Sequence, residues 1–336
     1  MGADQLVTVA VVPRERFSYT RPSLENIYQN TPSPFALVYV DGGSPPPVRR
    51  YLENESRTRG FKLVRTNRYL SPNQARNLAL QHVTTRYVVF VDNDVLVKPG
   101  WLEALVTCAE RSGAAVVGPL IYAGEPGSES IHMAGGVAHI DTVNGKRVLR
   151  EEHAFAGKRW AAVSHLLQSA PTELAEFHSM LVRTETLRQM GGLDENLLTA
   201  LEHVDLCLRV REAGGEVYFE PGAAVTYVPP PPFAVSDYPF FMLRWSDAWN
   251  GATLRHFQAK WRLEDDDESL QELRDWLRNH RHIYFRSAWK VIYPVVGWRR
   301  ANTIEELLSG SVARFVSPTK TPALATPALN GRQAAR

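Results

Sequence analysis

Cysteine is scarce: Cys108 and Cys207 are the two thiols in 336 residues. That is too few for a disulfide framework, and both sit among apolar residues, so buried thiols are expected. An excess of one charge is also missing. The 38 Lys and Arg nearly balance the 36 Asp and Glu, leaving +2. Such balance leaves no electrostatic footprint for nucleic acid, and no nucleic-acid partner is expected. No apolar run approaches the ~20 residues of a membrane helix. The opening "MGADQLVTVAVVPRERF" lacks a basic stretch followed by a long apolar one, so no secretory leader is expected. Gly2 follows Met1, but Leu6 departs from the myristoylation pattern. The expected compartment is the cytosol.

Hydrophobic residues make up 44% and charged residues 22%, an ordinary balance for a chain with a real core. Short apolar, β-branched runs recur: "LVTVAVV", "FALVYVDGGS", "FKLVRT", "RYVVFVD" and "AAVVGPLI". Between them lie helix-like stretches, opened by Pro22, by the prolines before Val48, by Ser71-Pro72 and by Pro99. Strand alternating with helix over short connections predicts an α/β fold with a doubly wound, mostly parallel sheet. From about 121 to 175 the rhythm breaks into loops and a hairpin. "EFHSMLVRTETLRQMGGLDENL" then gives a strand, a short helix and a glycine turn. "ALEHVDLCLRVREAGGEVYFEP" gives a helix stopped by Gly214-Gly215 and a further strand. Residues 236–310 read as helical and hold six of the eight tryptophans. The expected organisation is an α/β sheet domain at 1–232, an aromatic-rich helical appendage at 233–316 and a Pro/Ala/Thr-rich disordered tail at 317–336.

Open parallel sheets bind ligands beyond the carboxyl ends of their strands. Asp41 stands there after the second apolar run, and Asp92 and Asp94 after the fourth. Positions i and i+2 of an extended chain share a side, so both aspartates can face one ligand while Asn93 faces away. Paired carboxylates repel unless a cation or donors compensate them. Mg²⁺ and Mn²⁺ favour oxygen ligands, combining one or two carboxylates with substrate phosphates. An Asx-type turn before the next helix is the plainer alternative.

"LVYVDGGS", "ARNLAL" followed by "YVVFVDNDVLVKPGWLEAL", and "MGGLDENL" with "EHVDLCLRVREAGGEVYFEP" together resemble glycosyltransferase family 2. The resemblance spans about 6–228 and implies the GT-A fold with a nucleotide-sugar donor, a UDP-sugar in the first instance. It implies that Asp41 reads the donor base, that Pro13 and Arg14 line the nucleotide pocket, and that Arg76 lies near the diphosphate. It implies that Asp92 and Asp94 are the D-x-D pair, with Asp94 the direct ligand of Mn²⁺ or Mg²⁺. Family members usually carry Glu-Asp where this chain has Glu202-His203, and the aspartate is commonly the general base. The base is therefore sought among His203, Glu202 and Asp194. A histidine often found late in the family's domain is replaced here by Tyr227, and His132 and His139 are candidate substitutes.

The implied reaction is inverting transfer of a hexosyl group to a hydroxyl acceptor, whether a saccharide, a lipid-linked molecule or another. Trp245 and Trp249, four apart, are expected on one helical face, packed in the core. The apolar stretch at 289–298 is expected to dock on the parent domain. Peripheral contact with the inner membrane surface is its second reading. Two other functions compete. A nucleotidyltransferase also uses acids at a strand end, but no Gly-rich basic loop follows the first apolar run. A catalytically silent nucleotide- or glycan-binding protein would account for His203 and Tyr227.

Overall fold

Val7–Val12 form β1, buried at every position. α1 (Thr20–Asn30) begins ahead of Pro22, since a proline within the first turn breaks no helical hydrogen bond. β2 (Ala36–Gly42) leads to α2 (Pro46–Arg59), β3 (Lys62–Thr66) and α3 (Pro72–Leu80). At the start of α3, Ser71 N–H donates to the Gln74 side-chain oxygen at 3.2 Å. β4 (Tyr87–Asp92) is buried throughout, and β5 (Val95–Val97) follows at once. Gly100, rather than Pro99, is the residue before α4 (Trp101–Ser112), whose buried face is Trp101, Leu102, Leu105, Cys108 and Ala109. β6 (Val116–Ala123) completes the first half.

The 121–175 region holds β7 (Ile131–Met133), the hairpin of β8 (Gly136–Val143) and β9 (Lys146–His153), the single turn α5 (Trp160–Val163), and β10 (Ala170–Thr172). Asn144 and Gly145, at φ 52° and 79°, supply the left-handed pair that a two-residue hairpin turn requires. β11 (Ser179–Arg183), α6 (Thr184–Gln189), α7 (Glu202–Glu212) and β12 (Val217–Tyr227) follow. α8 (Tyr238–Arg244), α9 (Asp247–Trp261) and α10 (Glu268–His280) follow, and Phe241, Leu254, Phe257 and Leu277 join the same core as the sheet. Trp245 closes α8 and Ser246 caps α9, so Trp245 and Trp249 do not share one helix as expected.

This computed structural model describes residues 6–230, 232–264 and 267–283, with short pieces at 294–297, 300, 303–304, 307 and 311. The tail at 317–336 and most of the 289–298 stretch lie outside the described residues. Among the described residues no helix is long and apolar enough to cross a membrane. Cys108 and Cys207 are free and buried.

The strands run β10–β12–β6–β11–β4–β1–β2–β3. β1 pairs in parallel with β2 on one side and with β4 on the other. The chain therefore changes direction about β1, and the crevice at that switch lies beyond the ends of β1 and β4. The sheet is mixed, because β11 runs antiparallel to both β4 and β6. β5 pairs antiparallel with β12, which is why an apolar run resumes after Asp94.

Candidate active site

Val12 of β1 stands in register with Asp92 of β4. The chain leaving β1 thus crosses the carboxyl end of β4. Asn93 stitches the crossing together: it accepts from Arg14 N–H at 3.0 Å and donates to Arg16 O at 2.8 Å. Its side chain faces the loop after β1, and the two aspartates flank it.

Their environments differ. Asp92 meets Arg14 Nη1 at 3.2 Å, Arg76 Nη2 at 3.2 Å and His178 Nδ1 at 3.4 Å. Burial alone would raise its carboxyl; His178 and the two guanidinium groups outweigh burial and hold it below the ordinary value. Arg76 also lies 3.8 Å over the Phe177 ring. The two oxygens of Asp94 are buried and have no hydrogen-bond partner among the described residues. Burial, with Glu15 next, pushes its carboxyl up to about 8. A desolvated carboxylate with two orphaned oxygens fits a divalent cation, whereas Asp92 has its oxygens taken.

Asp41, buried at the end of β2, accepts Ser44 N–H at 2.8 Å and Arg65 Nε at 3.0 Å. Pro13 lies against Gly42, where an added Cβ would stand 3.3 Å from Pro13 Cγ. These contacts bring the Asp41 loop and the loop after β1 together.

A cavity of about 350 Å³ opens from Arg14, Arg76 and Asp92 toward Glu202 and His203. Leu201 precedes α7 at φ 64°, a conformation few bulky residues adopt. It turns Glu202 and His203 onto the cavity wall. Glu202 is buried, 3.5 Å from Arg244 Nη2. Asp194 is not on that wall. Its carboxylate is taken by His256 and by Lys260, each at 2.8 Å. Sequence reasoning passed over Arg244 of α8 and Trp276 and His280 of α10, which also line the cavity. His280 reaches Glu15 Oε1 at 3.2 Å, and Tyr227 donates to Glu15 Oε2 at 3.3 Å.

His178 was also missed. Its ring stacks on Tyr227 at 4.0 Å. Burial, then Arg14, lower its pKa to about 4, so it is neutral at physiological pH and can accept from Arg14. Glu176 joins His178 at 3.3 Å to His132 at 2.8 Å. Farther along the wall, Glu151 lies between His153 and His203. His132 thus reaches the cavity, while His139 pairs with Glu173 at 2.6 Å and does not line it. The clue to His178 was its place ahead of a buried run, "EFHSMLV". Only antiparallel pairing sets the start of β11 beside the end of β4.

Residues 8–165 match Glycosyl transferase family 2. An uncharacterized protein, y4gI of Sinorhizobium fredii, is 28% identical over 228 residues, 66% of this chain and 24% of that protein. The pre-mycofactocin glycosyltransferase of Mycobacterium tuberculosis is 31% identical over 156 residues, 46% of this chain and 30% of that protein. The chain thus spans less than a third of these curated relatives. A crystal structure of GalNAc-T7 with UDP, GalNAc and Mn²⁺ superposes with a TM-score of 0.53 at 15% identity, covering 87% of this chain and 57% of that one. The mannosyltransferase PcManGT from Pyrobaculum calidifontis, in complex with GDP-Man and Mn²⁺, superposes with a TM-score of 0.51 at 15% identity, covering 93% and 88%. Residues 8–165 are thus similar to glycosyl transferase family 2, and the fold is of the GT-A type.

Proposed function

We propose that the chain transfers a hexosyl group from a nucleotide-diphosphate donor, a UDP-sugar in the first instance, to an acceptor hydroxyl with inversion. The observation that carries this reading is the buried carboxylate of Asp94, without a hydrogen-bond partner among the described residues and with Arg14 and Asp92 close by, at the switch point of the sheet. A divalent cation held there, Mn²⁺ or Mg²⁺, would neutralise charge on the departing diphosphate.

The protein's own groups divide the remaining work. Asp41, with Pro13 beside its loop, reads the base. Arg14 and Arg76 face the diphosphate, and Asp92 keeps both guanidinium groups in place. The acceptor enters between Glu202 and Trp276, whose half-exposed ring offers a face to a sugar. Glu202 is the base we assign, because it is desolvated on the cavity wall with a long contact to Arg244. The acceptor oxygen bonds to the anomeric carbon as the bond from that carbon to the diphosphate oxygen breaks. The bonding pair stays with the diphosphate, and the acceptor proton passes to Glu202.

Thermal-shift titration with UDP-, GDP- and dTDP-linked sugars, with and without Mn²⁺, tests the donor site. A Mn²⁺-dependent shift with one donor is expected, lost in Asp94→Asn, together with donor hydrolysis or transfer that falls at least about a hundredfold. No shift with any donor sinks the donor-site reading. A shift without turnover would favour the silent binding protein.

A further inference from the structure

We infer that Glu151, His153 and His203 form a binding site for a borderline transition-metal ion of the Zn²⁺ type, separate from the cation site at Asp94. Glu151 and His153 lie on β9 and point to the same side of an extended chain. His203 comes from the first turn of α7, across the cavity. His203 Nε2 stands 3.4 Å from Glu151 Oε1, and His153 Nε2 stands 3.8 Å from the same oxygen. One ligand atom from each residue can be chosen so that all lie within 4.8 Å of one another.

Zn–N and Zn–O bonds of about 2.0–2.2 Å at a tetrahedral angle put neighbouring ligand atoms roughly 3.3–3.6 Å apart. The observed spacing therefore needs only side-chain adjustment. His203 Nε2 is moreover buried with no hydrogen-bond partner among the described residues. Two imidazoles and one carboxylate suit Zn²⁺ and its neighbours, whereas Mg²⁺ prefers oxygen alone. Three protein ligands leave a fourth position open, as in catalytic zinc sites.

The support behind the ligands is rigid. Leu149 N–H donates to Asp267 at 2.9 Å, Ser269 donates to Leu149 O at 2.9 Å, and Arg147 donates to Trp261 O at 3.0 Å. The appendage thereby fixes β9 against the parent sheet. A second group, His132, Glu176 and His178, has comparable spacing. There, however, Arg14 Nη1 sits 2.7 Å and 2.9 Å from the two ring nitrogens of His178. That fixed positive charge opposes a cation, so the site is assigned to the group without an arginine contact.

Titration of the metal-free full chain with Co²⁺, followed by visible absorption, tests the assignment without any assay of turnover. The expected result is one equivalent bound with the strong band of four-coordinate cobalt. The band should vanish in His153→Ala and in His203→Gln, each with unchanged circular dichroism. It should persist in His132→Ala and in Asp94→Asn, because an oxygen-rich site gives weak six-coordinate absorption. Absence of a band in the unaltered protein overturns the inference. So does its persistence in His153→Ala and His203→Gln, or its loss in His132→Ala or Asp94→Asn. Failure of the donor-site reading would leave this result unchanged, since cobalt is read directly.

Discussion

The imidazole of His280 lies 3.2 Å from the carboxylate of Glu15, across 265 positions of sequence. It joins the end of α10 to the loop that follows β1. Burial would raise the Glu15 carboxyl, but His280 and then Arg14 outweigh it and hold it at about 2. The folded value is depressed, so the stabilisation is present above the ordinary 4.5 and fades as pH falls toward 2. His280→Ala leaves this buried acid short of a partner and is expected to cost about 3 kcal/mol at neutral pH. Urea denaturation should show the deficit shrinking on acidification. A deficit that is constant with pH would separate His280 from Glu15.

Arg76 combines three contacts that only a planar guanidinium can make together. It donates to Asn73 at 3.2 Å and to Asp92 at 3.2 Å, and lies 3.8 Å over Phe177. Lysine keeps the charge but loses the fork and the stacking. Arg76→Lys should cost about 1–3 kcal/mol and weaken donor binding, read by calorimetry with a UDP-sugar. Unchanged stability would mean that Asp92 does not depend on Arg76.

Asp194 clamps the loop before α7 to α9. Burial would raise its carboxyl, and hydrogen bonds from Lys260 and His256 bring it well below the ordinary value. Its stabilisation is therefore present above about 3.8 and lost as pH falls below that. Asp194→Asn should lower stability by about 1–2 kcal/mol at neutral pH, with the difference from the unaltered protein closing in acid. Because Asp194 is absent from the cavity wall, the variant should retain donor turnover; its complete loss in folded protein would return Asp194 to the list of bases.

Gly43, two residues after Asp41, has φ +79°, and a Cβ there would stand 3.2 Å from the Arg68 carbonyl oxygen. Gly43→Ala meets both a left-handed backbone and a backbone obstacle, and should cost about 1–3 kcal/mol. Thermal melting would report it. A melting temperature equal to that of the unaltered protein would show that the loop relaxes freely.

Much of this was legible in the chain. Buried runs such as Tyr87–Asp92 read as strands covered on both faces, and their alternation with helices gives the order of elements up to β6. The positions of Asp41, Asp92 and Asp94 at strand ends follow from that pattern alone. What the sequence could not decide depends on partners distant along the chain. The difference between Asp92 and Asp94 arises because Arg76 and His178 reach one carboxylate and not the other. The antiparallel insertion of β11 places Glu176 and His178 at the mouth of the sheet. Packing of α9 and α10 takes Asp194 out of the site and brings Trp276 and His280 into it. Local pattern sets where a strand ends, but the charge state and role of the acid found there depend on what tertiary structure folds over it.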